Sequence, residues 1–539
     1  MENSIFKSEK KLKKLQKIFE ITRKILSARL GLGMLSLFLY IVILAKVRSE
    51  DIGLWDESDY LLAGIKNIKV GIEYSPVYAL FYAAIHALIS NPINDYYYGR
   101  ALAGLLFTIS ASFLLFQYTR NRAVTISFAL FISTSLLAYP WPSVTIFATS
   151  MLFIGQALCI KGKNRTILPL IFFLLAAGSR PEYFFVPIIF LAWRTCVVIK
   201  NRESNKQRPI GILVSSLLVI CFFMHFGTPH SNARLWEAYI GNDALQQSLI
   251  NPHIGDPWHV YHELARSRYG SDHSIIQAVA NHPYLVWKHV WWNLKSIPDW
   301  VRGTIFPPSL IWKGLTLISL LPVAHSFLVI GRKRKNYRVS GKNVASGSPL
   351  LYSWLILAGT NIVLFPQAHY LSPLLVTSII LTSFILFDSP KASSPASQIK
   401  RKVMVSNSLI LFTAVALSVH GLVSSKPNNM FPFKDAIQYL QGLQQVNSLQ
   451  ILDSDNGYCA YLKVKCTEFD TSAIVNSNLK TFILRNNINI IVDNGRLENN
   501  LSALGINALL KNWVARQRDY GKKIISPGFN IIHFHGSDA

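Results

Sequence analysis

The stretch Leu54-Trp55-Asp56-Glu57-Ser58-Asp59-Tyr60 sets three carboxylates within four residues of a chain in which Lys and Arg outnumber Asp and Glu by 54 to 28. A carboxylate against an apolar wall is partly desolvated and binds a proton more tightly than in water. It can then act as general base on an attacking hydroxyl or amine. Asp56 or Glu57 fits that task. The same acids also suit a solvated turn or the first turn of a helix, where negative charge complements the helix dipole, so the cluster alone leaves both readings open.

Three other polar groups raise the same question. Arg100 follows Asp95-Tyr96-Tyr97-Tyr98-Gly99, Arg180 lies in Gly178-Ser179-Arg180-Pro181-Glu182, and His369 and Tyr370 lie in Gln367-Ala368-His369-Tyr370-Leu371. An interfacial Arg can hold a phosphate through parallel hydrogen bonds, or it can snorkel and pair with a neighbouring acid such as Glu182. Arg100 can serve Asp95, Glu57 or a phosphate. His369 and Tyr370 can hydrogen-bond a phosphate or an acceptor, or belong to an aromatic belt. His259, His262 and Glu263 have a superficial metal-site look but lack the His-Glu-x-x-His spacing and a partner cluster. No metal and no cofactor are expected.

The elements that carry these residues read as a polytopic α-helical membrane protein. Hydrophobic residues make up 51% of the 539, mean hydropathy is +0.29, and several apolar runs approach or exceed the roughly 18 residues that cross a bilayer. A β-barrel would show short alternating segments instead. The net charge of +26 sits in short clusters between the apolar runs, as the positive-inside rule distributes it, which argues against nucleic-acid binding. Five cysteines are too few for a disulfide scaffold, and Cys159, Cys196 and Cys221 read as small hydrophobes within or beside apolar runs.

Residues 1–29 carry nine Lys or Arg and read as a basic cytoplasmic arm on the inner leaflet. A transmembrane domain is expected over 30–425, with runs near 30–47, 98–117, 123–139, 143–160, 166–178, 182–199, 209–226, 308–330, 350–365, 370–387 and 405–423. All the basic connectors fall on the cytoplasmic side only if the run 76–90 does not cross. That run is short, holds His86 and opens on Ser75-Pro76, which suits an interfacial helix. The result is eleven spans with the C-terminus outside. Outer loop one (48–97), the loops at 140–142 and 179–181, the large outer loop (227–307) and 366–369 share that side. Asp56, Glu57, Arg100, Arg180, His369 and Tyr370 therefore converge on one face, which marks a site. Trp236, Trp258, Trp287, Trp291, Trp292 and Trp300 mark helices lying on the bilayer surface over it.

The segment 426–539 alternates helix and strand patterns: a helix over 433–443, a strand over 449–452, a helix over 479–486 and a strand over 488–492. This is a small extracytoplasmic α/β domain. Outside the cell, Cys459 and Cys466 either pair or remain buried thiols.

The order of these features resembles the GT-C superfamily of membrane glycosyltransferases: an acidic pair opening the first outer loop, Tyr60 after it, the stretch Ser75-Pro76-Val77-Tyr78-Ala79-Leu80-Phe81-Tyr82, and Asp95 to Arg100 at the mouth of a span. The chain is most similar to the aminoarabinose transferases and protein O-mannosyltransferases, over 50–230 by motif and most of 1–425 by layout. The resemblance implies sugar transfer from a polyprenyl-phosphate donor to a lipid, glycan or protein acceptor at the outer face of a bacterial cytoplasmic (inner) membrane. It implies Asp56 as catalytic base of an inverting reaction, with Glu57 orienting the acceptor. Where the aminoarabinose transferases carry a Lys before a double proline, this chain has Tyr74-Ser75-Pro76. Arg180 is the expected replacement on the donor phosphate, helped by Arg100, His369 or Tyr370. The alternative from another class is a transporter or lipid flippase using the same carboxylates as an ion relay, although no internal repeat is visible. A non-catalytic scaffold would leave the acids unexplained.

Overall fold

The computed structural model describes residues 30–161, 166–200, 207–228, 233–251, 256–306, 313–317, 341–387, 431–443, 448–474, 479–503, 507–511 and 520–534, positions 315 and 509 excepted. The basic arm at 1–29, most of the run expected at 308–330 and all of that at 405–423 lie outside the described residues. The fold is predominantly helical with a small C-terminal sheet. Among the described residues, two helices, Leu30–Arg48 and Pro92–Thr119, are long and apolar enough to cross a membrane by length and composition. The apolar helices Arg122–Thr134, Ile167–Ser179 and Pro76–Ile89 are shorter.

The helix Pro92–Thr119 organises the helical body. Pro92 occupies its first turn, where the missing N–H costs nothing, and the Asn91 side chain caps it by accepting from the Asn94 N–H at 3.1 Å. One face presents the buried residues Tyr96, Arg100, Phe107, Ala111 and Leu114. It packs against Val144–Lys161, Arg122–Thr134 and Ala368–Phe387, and Val144–Lys161 in turn supports Ile167–Ser179. The run 76–90 forms a helix over Pro76–Ile89. Its 14 residues rise about 21 Å, short of the roughly 30 Å hydrocarbon core.

The segment 227–307 folds into the helices Ala233–Ile250, Pro257–Tyr269, Ile275–Asn281 and Pro283–Ile305. A buried His289 ties them to the body. Its Nδ1 lies 2.9 Å from Gln246 Oε1 and its Nε2 lies 2.8 Å from the Leu364 carbonyl, and Asn293 donates to the Ile362 carbonyl at 2.9 Å.

The C-terminal unit carries β1 (Ser448–Asp453), β2 (Lys465–Asp470), β3 (Ile490–Asp493), β4 (Tyr520–Ser526) and β5 (Phe529–Phe534). They form one sheet in the order β2-β1-β3-β5-β4, parallel from β2 to β3 and antiparallel beyond. Strand alternation sends successive side chains to opposite faces. Ile451, Ile490, Val492 and Ile531 join Ala436, Ile437 and Leu440 of the helix Pro432–Gly442 in a core continuous with that of the helical body. Leu452, Ile491 and Ile532 instead meet Ile483, Leu497 and Leu501 in a second core. Cys459 and Cys466 are disulfide-bonded, with Cα atoms 5.4 Å apart. The bond links the 3-10 turn Tyr458–Tyr461 to β2.

Candidate active site

The acid cluster opens the helix Asp56–Ile65, with Asp56, Glu57 and Asp59 in its first turn, where they complement the dipole. A helical period separates their fates. Glu57, Tyr60, Leu61 and Gly64 turn inward, whereas Asp56 and Asp59 face out. Gly64 lets this helix close on Pro76–Ile89, because a Cβ there would come within 2.5 Å of the Ala79 carbonyl oxygen.

Glu57 is 0% exposed. Its Oε1 accepts from the hydroxyls of Tyr78 and Tyr82, each at 2.5 Å, and its Oε2 accepts from the Ser143 N–H at 2.8 Å. With both oxygens engaged inside the fold, Glu57 has none to offer an acceptor. The orienting role expected of it is replaced by a structural one: it anchors the acid helix to Pro76–Ile89 and to the segment before Val144.

Arg100 is also enclosed, at 1% exposed. It donates to the Tyr139 carbonyl at 2.8 Å, Tyr96 Oη at 3.1 Å, Glu50 Oε2 at 3.2 Å and Ser143 Oγ at 3.4 Å. Its charge is answered by the Glu50 carboxylate beside it and by Glu57 across Ser143. These partners occupy its Nε, Nη1 and Nη2, the groups expected to help hold a donor phosphate.

Arg180 differs. The chain turns at Ser179-Arg180-Pro181, with Arg180 extended at φ −147° because the following proline disfavours a helical residue before it. Its guanidinium is 7% exposed and stacks 5.2 Å above the Tyr370 ring. Glu182 Oε2 lies 3.6 Å from its Nε, an ion pair beyond hydrogen-bond length. Arg180 Nε and Nη2 and Glu182 Oε2 are buried without hydrogen-bond partners among the described residues. Burial alone lowers the proton affinity of the guanidinium. Glu182 and Tyr370 more than offset it, so the group stays charged, above its ordinary value.

Thr145, Arg180, Glu182, Tyr183, Thr360 and Tyr370 line a cavity of about 10 Å³, room for about one water-sized oxygen. The exposed Asp56 and the buried Arg180 both act electrostatically on Tyr370, and Arg180 also hydrogen-bonds it. His369 is buried against the Tyr370 ring, with centroids 4.0 Å apart, and bonds to the Trp141 backbone.

Two contributors escaped the sequence reading. One is the segment Tyr139-Pro140-Trp141-Pro142-Ser143, whose backbone serves Arg100, His369 and Glu57 in turn. Its two prolines were the available signal, since proline interrupts a helix and leaves backbone groups for side chains. The other is the C-terminal unit, which closes over the acid helix. Trp55, at φ 72°, is held there by donating its N–H to the Asn456 carbonyl at 3.2 Å. Ser58 Oγ lies 3.1 Å from Tyr461 Oη. Arg496 stacks 4.5 Å from the Trp55 ring, donates to Asp455 Oδ1 at 3.2 Å and pairs with Asp256 of the large loop. No protein-family model matches this chain, and no curated protein matches it.

Proposed function

We propose that the protein is an inverting glycosyltransferase of the GT-C kind, acting at the outer face of a bacterial cytoplasmic membrane on a polyprenyl-phosphate sugar. The reading places about eleven helices across the membrane, with the short helix Pro76–Ile89 at the interface and the C-terminal unit outside. The observation that carries it is that an exposed carboxylate, Asp56, and a buried guanidinium, Arg180, both act on Tyr370, and that Arg180 Nε and Nη2 lack hydrogen-bond partners among the described residues. Transfer from a lipid phosphate needs these two groups. A base takes the proton of the acceptor hydroxyl or amine as that atom bonds to the anomeric carbon. A cation receives the charge left on phosphate as the sugar–phosphate bond breaks. The cavity that Arg180 and Tyr370 line takes a phosphate oxygen. No metal clamp is required in this reading, because a single phosphate linkage is served by the guanidinium.

The test is D56N in purified protein, assayed for sugar transfer from a membrane lipid extract. We expect transfer to fall by about 10²–10⁴-fold, the worth of a positioned general base, with folding unchanged because Asp56 is exposed. Full activity in D56N would remove the general-base assignment. A reporter fused to the C-terminus that signals from the cytoplasm would remove the one-face site.

A further inference from the structure

A second cavity, of about 460 Å³, has none of the residues of the proposed transfer in its lining. The C-terminal end of Leu30–Arg48, the start of Pro92–Thr119 and the helix Pro432–Gly442 border this open cleft. Arg48, Asn91, Asn94, Tyr97, Lys434 and Gln438 line it. Its size falls within the roughly 300–1,000 Å³ range of small-molecule sites.

The lining has a consistent chemistry. Carboxamides both donate and accept, which matches vicinal hydroxyls. Phe431, half-buried, supplies a ring face for the C–H side of a sugar ring, backed by the buried Tyr97. Arg48 and Lys434 add positive charge, and no carboxylate joins them among the described lining residues. Arg48 uses Nη2 on Tyr98 Oη at 2.8 Å, and a guanidinium has further donors to spare. Lys434 Nζ lies 5.8 Å from the Tyr97 ring centre and 5.4 Å from that of Phe431. That places the cation over both rings at the cavity lining.

The walls are fixed before any ligand arrives. Asp51, behind the cavity, accepts the backbone N–H groups of Phe433 at 2.9 Å and Lys434 at 3.1 Å, pinning Pro432–Gly442 to the first outer loop. Gln441 donates to the Tyr461 carbonyl at 2.9 Å, and Tyr461 contacts Ser58 of the acid helix. Rigid walls lower the ordering cost of binding.

We propose that this cleft binds an anionic saccharide, with a carboxylate-bearing sugar held by Lys434 and Arg48 and its hydroxyls by the surrounding carboxamides. Binding here does not depend on transfer, so D56N retains it even if the glycosyltransferase reading fails. The test is calorimetric titration of the full-length, detergent-purified protein with cellobiouronic acid, neutral cellobiose and inorganic phosphate. We expect the acid sugar to bind about tenfold more tightly than cellobiose, the equivalent of about 1.4 kcal/mol, and the preference to shrink as salt rises. K434Q should reduce the acid sugar to the affinity of cellobiose, and Q438A, on the exposed side of the helix, should weaken both sugars. Equal affinity for the two sugars, phosphate binding as tightly as the acid, no binding of either sugar, or unchanged affinities in both variants would each overturn the proposal.

Discussion

Asp56 and Glu57 are consecutive residues in the first turn of one helix, yet Asp56 is exposed and Glu57 is fully buried, with three hydrogen bonds on its carboxylate. Neighbouring acids have thus been divided between solvent and interior by the 100° step of the helix. In E57Q an amide nitrogen must replace an oxygen that accepted either from two tyrosines or from the Ser143 N–H. Removing one side of a buried charged network costs about 3–5 kcal/mol. E57Q should therefore lower the thermal transition in detergent sharply, whereas D56N leaves it within about 0.5 kcal/mol of wild type. Equal stability of the two variants would contradict this division.

Arg180 offers two nitrogens, Nε and Nη2, that lack hydrogen-bond partners among the described residues, and a planar fork suits phosphate oxygens in a way a point charge does not. R180K should lose about 10²–10³-fold in kcat for sugar transfer with a smaller change in KM, because the charge it answers develops in the transition state. A structural role alone predicts R180K close to wild type in both constants.

The legibility of the molecule followed the distance over which its interactions act. Helices such as 143–160 and strands such as 449–452 came from local periodicity and recur as Val144–Lys161 and Ser448–Asp453. The placement of Glu57 did not, because its partners Tyr78, Tyr82 and Ser143 lie 21, 25 and 86 residues away. Arg100 read as available for the same reason: its acceptors Glu50 and Tyr139 are remote in sequence. The closure of the C-terminal unit on Trp55 was hidden in ordinary turn residues, Asn456 and Gly457, whose backbone forms the contact.

Gly457 sits at φ +113°, and a Cβ there would come within 2.8 Å of Ser58 Cβ. G457A therefore adds backbone strain of about 1–3 kcal/mol and pushes the C-terminal unit away from the acid helix. Expected results are a lower thermal transition and faster proteolytic release of the C-terminal unit. Adding S58G should recover the steric part but not the strain, giving a double variant between G457A and wild type. Additive losses in the pair would show that the two residues do not touch.

The Cys459–Cys466 bond closes a loop with a sequence separation of seven, for which loop-closure entropy gives about 2–3 kcal/mol. C459S/C466S should destabilise the protein by that order. In intact cells, the wild-type thiols should resist maleimide labelling until a reductant is added, as the expected oxidising compartment requires. Immediate labelling of both would place the C-terminal unit on the reducing side.

Asp453 is held well above the usual carboxylate range by burial first and by the Glu468 charge second. Burial also raises Glu468, although the N–H groups of Gly457 and Cys459 favour its ionised form. A carboxyl raised in the folded state binds its proton more tightly there than in the unfolded chain. Its stabilising contribution is complete below the unfolded value near 4 and is lost as pH rises through the raised folded value. Asp453 Oδ1 accepts the N–H groups of Asp455 and Asn456 at 3.2 and 3.1 Å, while Oδ2 is buried without a hydrogen-bond partner among the described residues. D453N keeps an acceptor for those N–H groups and removes the charge. The stability of D453N relative to wild type should therefore grow as pH rises from 5 to 8, and thermal transitions of both proteins across that range measure it. A difference that shrinks with rising pH would mean that Asp453 is ionised and favourably held in the fold, the reverse of what its burial beside Glu468 dictates.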